Sequence, residues 1–406
     1  MGYSFMRKVL FVRPDRQSCE ALKNSLHPVL NQWHMAFAVG AVEAFEQMES
    51  NPWDIVIANL QSDNDKSFFF SVRESFPAIV RIGLVDQSRT KLPVASLVHQ
   101  FLMKPFTLDE LSVAVERSCR LRDLLDGEAM SRTVGDLGEL PSAPVVYMKL
   151  VERLDEPDTS VEEIAEIVER DIAISAKLLR VVNSALFRTS QEIATVKMAA
   201  SYLGPNVIKN LVLSTEISNQ FDKMEKIPGF SIDQLQIHSR LTAEIAKSMN
   251  LSREVRDAAI VASLLHDIGK LVLASKVPVR LSWLLSTAAE QERPLYEIEE
   301  ELWGITHAEI GAYLLSLWGL PTSITEAIAY HHTPDRVPHC HFDALAAVYT
   351  ANLLAHEQDG TNLKTKSAID DRFLHKLGVS EELPRWKVLA EMEGLRQSGA
   401  LSSWRK

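Results

Sequence analysis

The sequence has few of the features that mark secreted, membrane or disulfide-stabilised proteins. It has no run of about 18 apolar residues, and its N-terminus lacks the basic start, apolar core and small-residue cleavage site of a signal peptide. Its cysteines, Cys19, Cys119 and Cys340, are too far apart to form a CxxC metal pair or a disulfide framework. We therefore expect a soluble, cytoplasmic protein without a membrane segment.

The chain also lacks an excess of basic residues and the biased composition of disordered or fibrous proteins. Hydrophobic residues make up 46% and charged residues 24% of its 406 positions, as in ordinary globular proteins. Lysine and arginine number 43 against 54 acidic residues, which gives a net charge of −11. This charge disfavours nonspecific binding to nucleic acid or anionic lipid. The length predicts about two or three domains.

Short apolar runs alternate with helix-period segments in residues 1–125. The predicted strands are Val9–Val12, Met35–Val39, Asp54–Leu60, Ile79–Val85 and Gln100–Met103. Five strands alternating with helices predict a parallel, doubly wound α/β sheet. The helix predicted over 107–125 has an apolar stripe that can bury itself against its own domain, extend as a connector, or pair with a second copy in a homodimer.

Glycine and proline interrupt this pattern over residues 126–140, which we expect to be a linker. From there on only helical periods are found, so a helical domain is predicted over 141–360 and a helical extension over 361–406. The predicted helices are Val145–Leu154, Val161–Arg170, Ile172–Asn183, Ile193–Leu203, Val207–Phe221, Ile232–Met249, Arg253–His266, Asp371–Leu377 and Leu383–Leu395.

Histidine is absent between residues 100 and 237, and nine of the 12 histidines follow. His266 and Asp267 directly follow an apolar helix that Ser252 is predicted to cap, so they enter an interior where polar groups need partners. His238 and His331 lie on inward faces of other predicted helices. Imidazole and carboxylate are good ligands for a divalent metal.

Two predicted capping boxes show where helices begin near the other candidate metal ligands. One begins at Thr306 and puts His307 in the first turn of a helix; the other begins at Ser323, before the helix that leads to His331. His332 is expected to point away, toward the helix end. Each histidine alone is more often a core or surface residue than a ligand, but four around one His-Asp pair favour a metal site.

The order of motifs in residues 1–125 resembles a response-regulator receiver domain, a flavodoxin-like α/β fold; an unrelated flavodoxin-like module is the alternative. In receivers an aspartate after the third strand accepts a phosphoryl group. Asn59 stands at that position here, and an amide has no anionic oxygen to attack phosphorus. The resemblance therefore implies a pseudo-receiver with no phosphoacceptor.

The other receiver positions are also altered. Asp15 is the one acidic residue left at the metal corner, Val85 occupies the position of the hydroxyl, and Lys104 is retained before Pro105. Arg13 beside that corner can replace the charge of the metal and lock the domain in one conformation. The alternative is an ordinary surface arginine at a strand end.

The helical part resembles the HD superfamily of metal-dependent phosphohydrolases and, over about residues 135–355, the all-α HDOD domain (HD-related output domain). The motifs are Leu137–Pro141, Asp171–Ser175, Lys177–Arg180, Asn183–Ala185 and His266–Lys270. Most HDOD domains have lost their metal ligands and serve as regulatory output modules.

The resemblance implies a divalent metal, Fe, Mn, Mg or Zn, and a residue that neutralises phosphate, Lys270. The implied ligands are His238, His266, Asp267, His307, His331 and, weakly, Asn352. Asn352 aligns with the family's distal aspartate and cannot act as a base. Because the Gly-Tyr-Pro signature of the related cyclic-di-GMP phosphodiesterases is missing, hydrolysis of that dinucleotide is a minor hypothesis.

The two resemblances lead to two hypotheses about function. The first is a bacterial-type signal-transduction protein in which a pseudo-receiver is coupled to a metal-binding HDOD domain that acts through protein partners. The alternative is a metal-dependent phosphohydrolase or phosphodiesterase acting on a nucleotide or signalling phosphate. Asn59 and Asn352 favour the first, because each stands where the related domains carry a carboxylate.

Overall fold

The computed structural model describes residues 6–26, 33–86, 97–137, 140–154, 156, 159–184, 186–187, 193–221, 226–358 and 371–397. The chain divides into two compact units, Met1–Asp123 and Leu124–Lys406. The described part of the first unit is α/β, and that of the second is helical. The predicted division into an α/β part and an all-α part is therefore confirmed.

A small parallel sheet forms the centre of the first unit, with strand order β2-β1-β3-β4-β5. The strands are β1 (Arg7–Arg13), β2 (Trp33–Val39), β3 (Ile55–Asn59), β4 (Val80–Asp86) and β5 (Gln100–Lys104). The helices between and after them are α1 (Arg16–Ser25), α2 (Gly40–Ser50), α3 (Asp63–Ser75) and α4 (Leu108–Leu125). This strand order is that of a flavodoxin-like, doubly wound sheet.

Both faces of the sheet are covered by apolar residues. Successive residues of β3 alternate between them: Ile55 and Ile57 join one core cluster, and Val56 joins the other. Helix α4 contributes Leu111 and Val115 to the first cluster. The apolar stripe predicted for a connector or a homodimer is therefore packed against the sheet of its own domain.

The second unit begins with α5 (Glu128–Leu137) and continues with helices along its described length. These are α6 (Val145–Leu154), α7 (Val161–Glu169), α8 (Ile172–Val182), α9 (Val196–Leu203), α10 (Pro205–Phe221), α11 (Ile232–Ser248), α12 (Arg253–Leu265), α13 (Ile268–Lys276), α14 (Pro278–Gln291), α15 (Leu295–Trp303), α16 (His307–Leu317), α17 (Thr322–Ala329), α18 (Ala344–Gln358), α19 (Asp371–Lys376) and α20 (Leu383–Gln397). The predicted helices agree with these to within a few residues at their ends.

The segment expected to be a linker, 126–140, is largely the helix α5. Met130 and Leu137 of this helix are buried. Their burial outweighs the cost of Gly135 inside a helix, which is about 1 kcal/mol relative to alanine. A glycine inside an amphipathic stretch therefore did not end the helix here.

Two of the three predicted helix caps are present in the structure. Ser252 caps α12, and Thr306 forms a capping box with Glu309 at the start of α16, as predicted. The capping box predicted at Ser323 is wrong, because α17 begins one residue earlier, at Thr322, and its N-cap makes no side-chain hydrogen bond.

Helices α12 and α13 form the apolar centre of the second unit. The stretch from Arg253 to Lys276 is long and apolar enough by composition to cross a membrane, with a mean hydropathy of 1.5, but 78% of its apolar window is buried. A helix that is apolar on all sides and buried inside the protein is typical of a core. The two helices are separated by His266 and Asp267, so the core opens onto a polar site at this point.

Candidate functional site

Polar side chains from several helices meet at the junction of α12 and α13. His266 is fully buried there and Asp267 is 2% exposed. Helix α11 contributes His238, and α16 begins with His307. The other contributors are His331 and His332 in the turn after α17, and Asn352 and His356 on α18.

Asp267 lies at the centre of this cluster. Its Oδ1 is 3.2 Å from Nε2 of His307 and 3.8 Å from Nε2 of His331. Its Oδ2 is 3.5 Å from Nε2 of His266 and accepts a hydrogen bond of 2.7 Å from Nζ of Lys270. Two groups that can hold a metal ion share this carboxylate: Asp267 with His307, His331 and His332, and Asp267 with His238 and His266.

Hydrogen bonds to the backbone fix the tautomers of two histidines. Nδ1 of His266 is 2.7 Å from the carbonyl oxygen of Ser263, and Nδ1 of His331 is 2.7 Å from that of Ile328. Because a carbonyl only accepts, Nδ1 carries the proton and Nε2 is left with a lone pair. Both Nε2 atoms, and Oδ1 of Asp267, are buried without a hydrogen-bond partner.

These unpartnered atoms fit a divalent cation. A buried acceptor without a partner costs about 1–3 kcal/mol. Two imidazole nitrogens and a carboxylate oxygen form a common donor set for a transition metal, and the hydrogen bonds on Nδ1 orient the rings as the outer partners of metal sites do. The cluster can therefore hold a metal.

Burial sets the protonation of the cluster. It lowers the pKa of His266 to about 4 and holds those of His331 and His332 well below the ordinary value. Burial alone would raise the pKa of Asp267, but the positive charge of Lys270 and the contact with His307 help to hold it well below its ordinary value. Neutral imidazoles around an ionised carboxylate are the protonation states that metal binding requires.

His332 belongs to the cluster, contrary to the sequence prediction, and so does His356, for which no role was predicted. Nε2 of His332 is 3.1 Å from Nε2 of His307. The ring of His356 stacks on that of His238 at 4.3 Å. His332 was missed because α17 ends at Ala329, so the chain turns before the two adjacent histidines instead of continuing a helix in which they would face apart.

Asn352 occupies the corner where the resemblance implies a distal aspartate. Its Oδ1 lies 2.8 Å from Nε2 of His238. Because an amide oxygen only accepts, Nε2 of His238 carries a proton in this arrangement and presents no lone pair. His238 therefore lies in the predicted place, but its ring nitrogen is engaged by Asn352.

Glu299 of α15 is a buried carboxylate that sequence reasoning missed. It accepts hydrogen bonds from the backbone nitrogen of His307 at 2.8 Å and from Nδ1 of the same residue at 2.6 Å. Burial lowers the pKa of His307, but the carboxylates of Glu299 and Asp267 together outweigh this effect, so the pKa is raised. A carboxylate behind a histidine is a frequent second partner in metal sites.

A cavity of about 410 Å³ reaches the cluster. Its polar end is formed by His238, Asp267, Lys270, His307, His332, Asn352 and His356, and its apolar wall includes Phe230, Leu235, Leu285, Leu295 and Leu353. A ligand with a charged group and an apolar body can therefore enter with its charged group toward Lys270.

The first unit has its own polar pocket, at the end of β3. Oδ1 of Asn59 accepts hydrogen bonds from Nζ of Lys104 at 2.7 Å and from Nη1 of Arg13 at 3.2 Å. Arg13 is thus in contact with Asn59, at the position where the resemblance to receivers implies a phosphoacceptor. Asp15 is the N-cap of α1, and Val85 is buried in β4, so neither joins these three residues.

Residues 140–334 match the family of the HDOD domain. The crystal structure of an HDOD domain protein from Geobacter sulfurreducens is 23% identical and has a TM-score of 0.50, covering 68% of this chain and 94% of its own. That of a protein from Marinobacter aquaeolei described as a signal transduction protein is 20% identical with a TM-score of 0.52, covering 89% and 88%. The segment 140–334 of the helical unit therefore matches the HDOD domain in sequence and shares the fold of these solved structures.

Curated relatives cover less of the chain. Cyclic di-GMP phosphodiesterase CdgJ of Vibrio cholerae is 27% identical over 161 residues, which are 37% of this chain and 35% of that protein. The chain spans less than half the length of the first curated relatives that it matches. The activity of a whole relative is therefore not established for this chain.

Gly269 allows α13 and α16 to approach each other closely, so a larger residue at this position should destabilise the protein. A Cβ on Gly269 would lie 1.9 Å from the carbonyl oxygen of His307. The backbone of α16 cannot move aside as a flexible side chain can, so Gly269→Ala is expected to lower the free energy of unfolding by about 3 kcal/mol. Thermal and urea unfolding of the full chain measure this.

The matched control is Gly135→Ala in α5, where nothing lies within 4 Å of the added Cβ. This change is expected to be neutral or to stabilise by up to about 1 kcal/mol. Equal stability of the two variants would contradict the close helix crossing at Gly269.

The pocket at Asn59 generates a second prediction. Treatment of the full chain with acetyl phosphate is expected to leave no acyl phosphate on the first unit, because the amide of Asn59 is not a nucleophile toward phosphorus. Phosphate labelling followed by peptide mapping measures this. A label on the peptide that contains Asn59 that neutral hydroxylamine removes, as it does an acyl phosphate, would show that the interpretation is wrong.

Proposed function

We propose that this chain is a signal-transduction protein whose HDOD domain holds one divalent metal ion and acts through contacts with protein partners. The observation that carries the metal site is the convergence of three buried, unpartnered atoms: Nε2 of His266, Nε2 of His331 and Oδ1 of Asp267. A cation bound by Oδ1 of Asp267 and Nε2 of His331 would satisfy two of them and lie beside Nε2 of His266, which belongs to the other group of candidate ligands. His307, whose Nε2 is 3.2 Å from the same carboxylate oxygen, and His332 would complete the set of ligands.

Charge favours one ion over two. Asp267 is the carboxylate shared by both groups of candidate ligands, and burial keeps His266 and His331 beside it neutral. Two divalent ions about 3.5–4 Å apart, as in two-metal hydrolases, would place four positive charges beside that carboxylate and Lys270. Asn352 adds no negative charge at the corner where a carboxylate would help.

The donor set also narrows the identity of the metal. Imidazole nitrogen is a better ligand for Zn and Fe than for Mg, which prefers oxygen. With three histidines and one carboxylate as proposed ligands, Fe or Zn is favoured over Mg and Mn. Bound there, the metal would act as a Lewis acid toward a phosphoryl oxygen that reaches it through the cavity.

Hydrolysis of a nucleotide or signalling phosphate is the second candidate function. It is favoured by the cavity, which brings a ligand to Asp267, His307 and Lys270. Two observations count against turnover. The amide of Asn352 cannot serve as a general base, and its oxygen is engaged by His238.

Cyclic di-GMP is not proposed as the substrate. The match to CdgJ leaves about two thirds of that protein outside the alignment, so its named activity can belong to the unmatched part. The sequence after His331 and His332 also lacks the Gly-Tyr-Pro signature.

The first unit is proposed to be a receiver-like domain that works without phosphorylation. The support is the pair of cations on Asn59: Lys104 and Arg13 both donate to its amide oxygen. Arg13 would replace the charge that a metal supplies in a phosphorylated receiver. A homodimer through α4 stays a prediction, and it would have to use residues of the helix other than Leu111 and Val115, which pack on its own sheet. A cytoplasmic location fits this role.

Metal content and turnover test the proposal together. The full chain, purified without chelator, is expected to contain about one Fe or Zn per chain by mass spectrometry. Removing the metal should lower the free energy of unfolding by about 2.7 kcal/mol if the free metal was at 100 times its dissociation constant. Hydrolysis of bis(p-nitrophenyl) phosphate is expected to equal that of His266→Ala.

The matched control is His341→Ala, which changes an exposed histidine outside the cluster and should keep the metal. Asn352→Asp restores a carboxylate at the weakened corner and should bind the metal about tenfold more tightly, which is about 1.4 kcal/mol. Wild-type protein without metal would contradict the proposal. Turnover that His266→Ala abolishes would replace it with the second candidate.

A further inference from the structure

Helix α15 contacts two histidines of the cluster that come from different elements. The ring of Tyr296 stacks on that of His332, with centroids 4.3 Å apart and planes 14° from parallel. One turn later, Glu299 accepts both hydrogen bonds from His307. Residues three positions apart lie on the same face of a helix, so a single face of α15 holds both histidines.

The surroundings of Glu299 make an ionised carboxylate unfavourable for the free energy of folding. It is fully buried, and its second oxygen, Oε1, has no hydrogen-bond partner. Its neighbour Ile298 packs in an apolar cluster with Leu284 and Ala288 of α14. A buried charge of this kind costs several kcal/mol unless it is compensated. Because its described hydrogen bonds all go to His307, the compensation comes from holding that residue.

The two bonds to Glu299 fix both the backbone and the ring of His307. The backbone bond engages the N–H of the first residue of α16, and the ring bond uses the proton on Nδ1. Nε2 is then left with its lone pair, 3.2 Å from Oδ1 of Asp267 and 3.1 Å from Nε2 of His332. The carboxylate of Glu299 thus orients the ring of His307 so that Nε2 faces Asp267, while among the described residues of the cluster Glu299 itself hydrogen-bonds only to His307.

His332 is held on the same helix by two contacts. The stack on Tyr296 fixes its ring plane, and Glu300 of α15 forms an ion pair with Arg336, which follows His332 in the chain. The turn that carries His332 is therefore tied to α15 at its ring and just beyond it. Tyr296 also lines the cavity that reaches the cluster.

We propose that Glu299 and Tyr296 are positioning residues, which hold His307 and His332 in the orientation that the metal requires. This inference rests on the metal centre proposed above. Glu299 acts through His307, and Tyr296 acts through His332. Partners of this kind typically change metal affinity by about 10–100-fold when they are removed.

Titration of the metal-free full chain with Co²⁺, followed by visible absorption, tests the inference. Glu299→Ala is expected to weaken Co²⁺ binding by about 10–100-fold. Glu299→Gln should fall between this variant and the wild type, because its amide oxygen still accepts from Nδ1 but has no charge. Tyr296→Leu should shift the Co²⁺ absorption band with a smaller loss of affinity.

Glu297→Gln is the matched control, because it makes the same chemical change on the same helix at a residue paired with Arg293 instead of His307. It should leave affinity and spectrum unchanged. Affinities of Glu299→Gln and Glu299→Ala within twofold of the wild type would overturn the inference. If Glu299→Ala does not fold, the isosteric Glu299→Gln decides alone.

A second readout does not need the metal. In nitrogen-15 NMR of the metal-free protein, the Nδ1 proton of His307 should give a protected, downfield signal that Glu299→Ala or Glu299→Gln shifts or removes. Its persistence unchanged in both variants would overturn the positioning role. A wild-type protein that shows this signal but binds no Co²⁺ would refute the proposed metal centre. It would still support the hydrogen bonds between Glu299 and His307.

Discussion

A buried carboxylate constrains the arrangement of the helical unit. Asp267 is 2% exposed between two apolar helices, where an ionised group without compensation would cost several kcal/mol. Lys270 supplies one partner at 2.7 Å on Oδ2. The other oxygen, Oδ1, faces the ring nitrogens of His307 and His331, and the approach of α16 that brings His307 there requires a glycine at position 269. The glycine at position 269, the packing of α16 and the candidate metal ligands therefore all bear on the surroundings of Oδ1 of Asp267.

Each unit has a pocket with an amide at a position where the resemblance of the sequence to known domains implies a carboxylate. In the first unit, Asn59 is held by Lys104 and Arg13, so the positive charges remain without an anionic partner at that position. In the second, Asn352 is held by His238. The proposed function follows from this shared feature, because a neutral amide preserves the shape and hydrogen bonding of a site while it removes nucleophilic or basic character.

The sequence predicted much of this because its strongest signals are local. The periods of the strands and helices, the cap at Ser252 and the inward faces of His266 and His331 depend on residues near one another in the chain. The missed residues depend on contacts between elements. Glu299 lies eight positions before His307, in another helix, among other glutamates that face solvent. His332 was missed because the end of α17, not the helical period, decides its direction.

Anomalous X-ray diffraction of crystals of the full chain, purified with its metal, tests the central claim most directly. Data collected on both sides of the Fe or Zn absorption edge locate the ion without reference to activity. We expect one peak about 2.0–2.2 Å from Nε2 of His307, Nε2 of His331 and Oδ1 of Asp267. Absence of a peak there in metal-containing protein, or an ion held by other residues, would contradict the account.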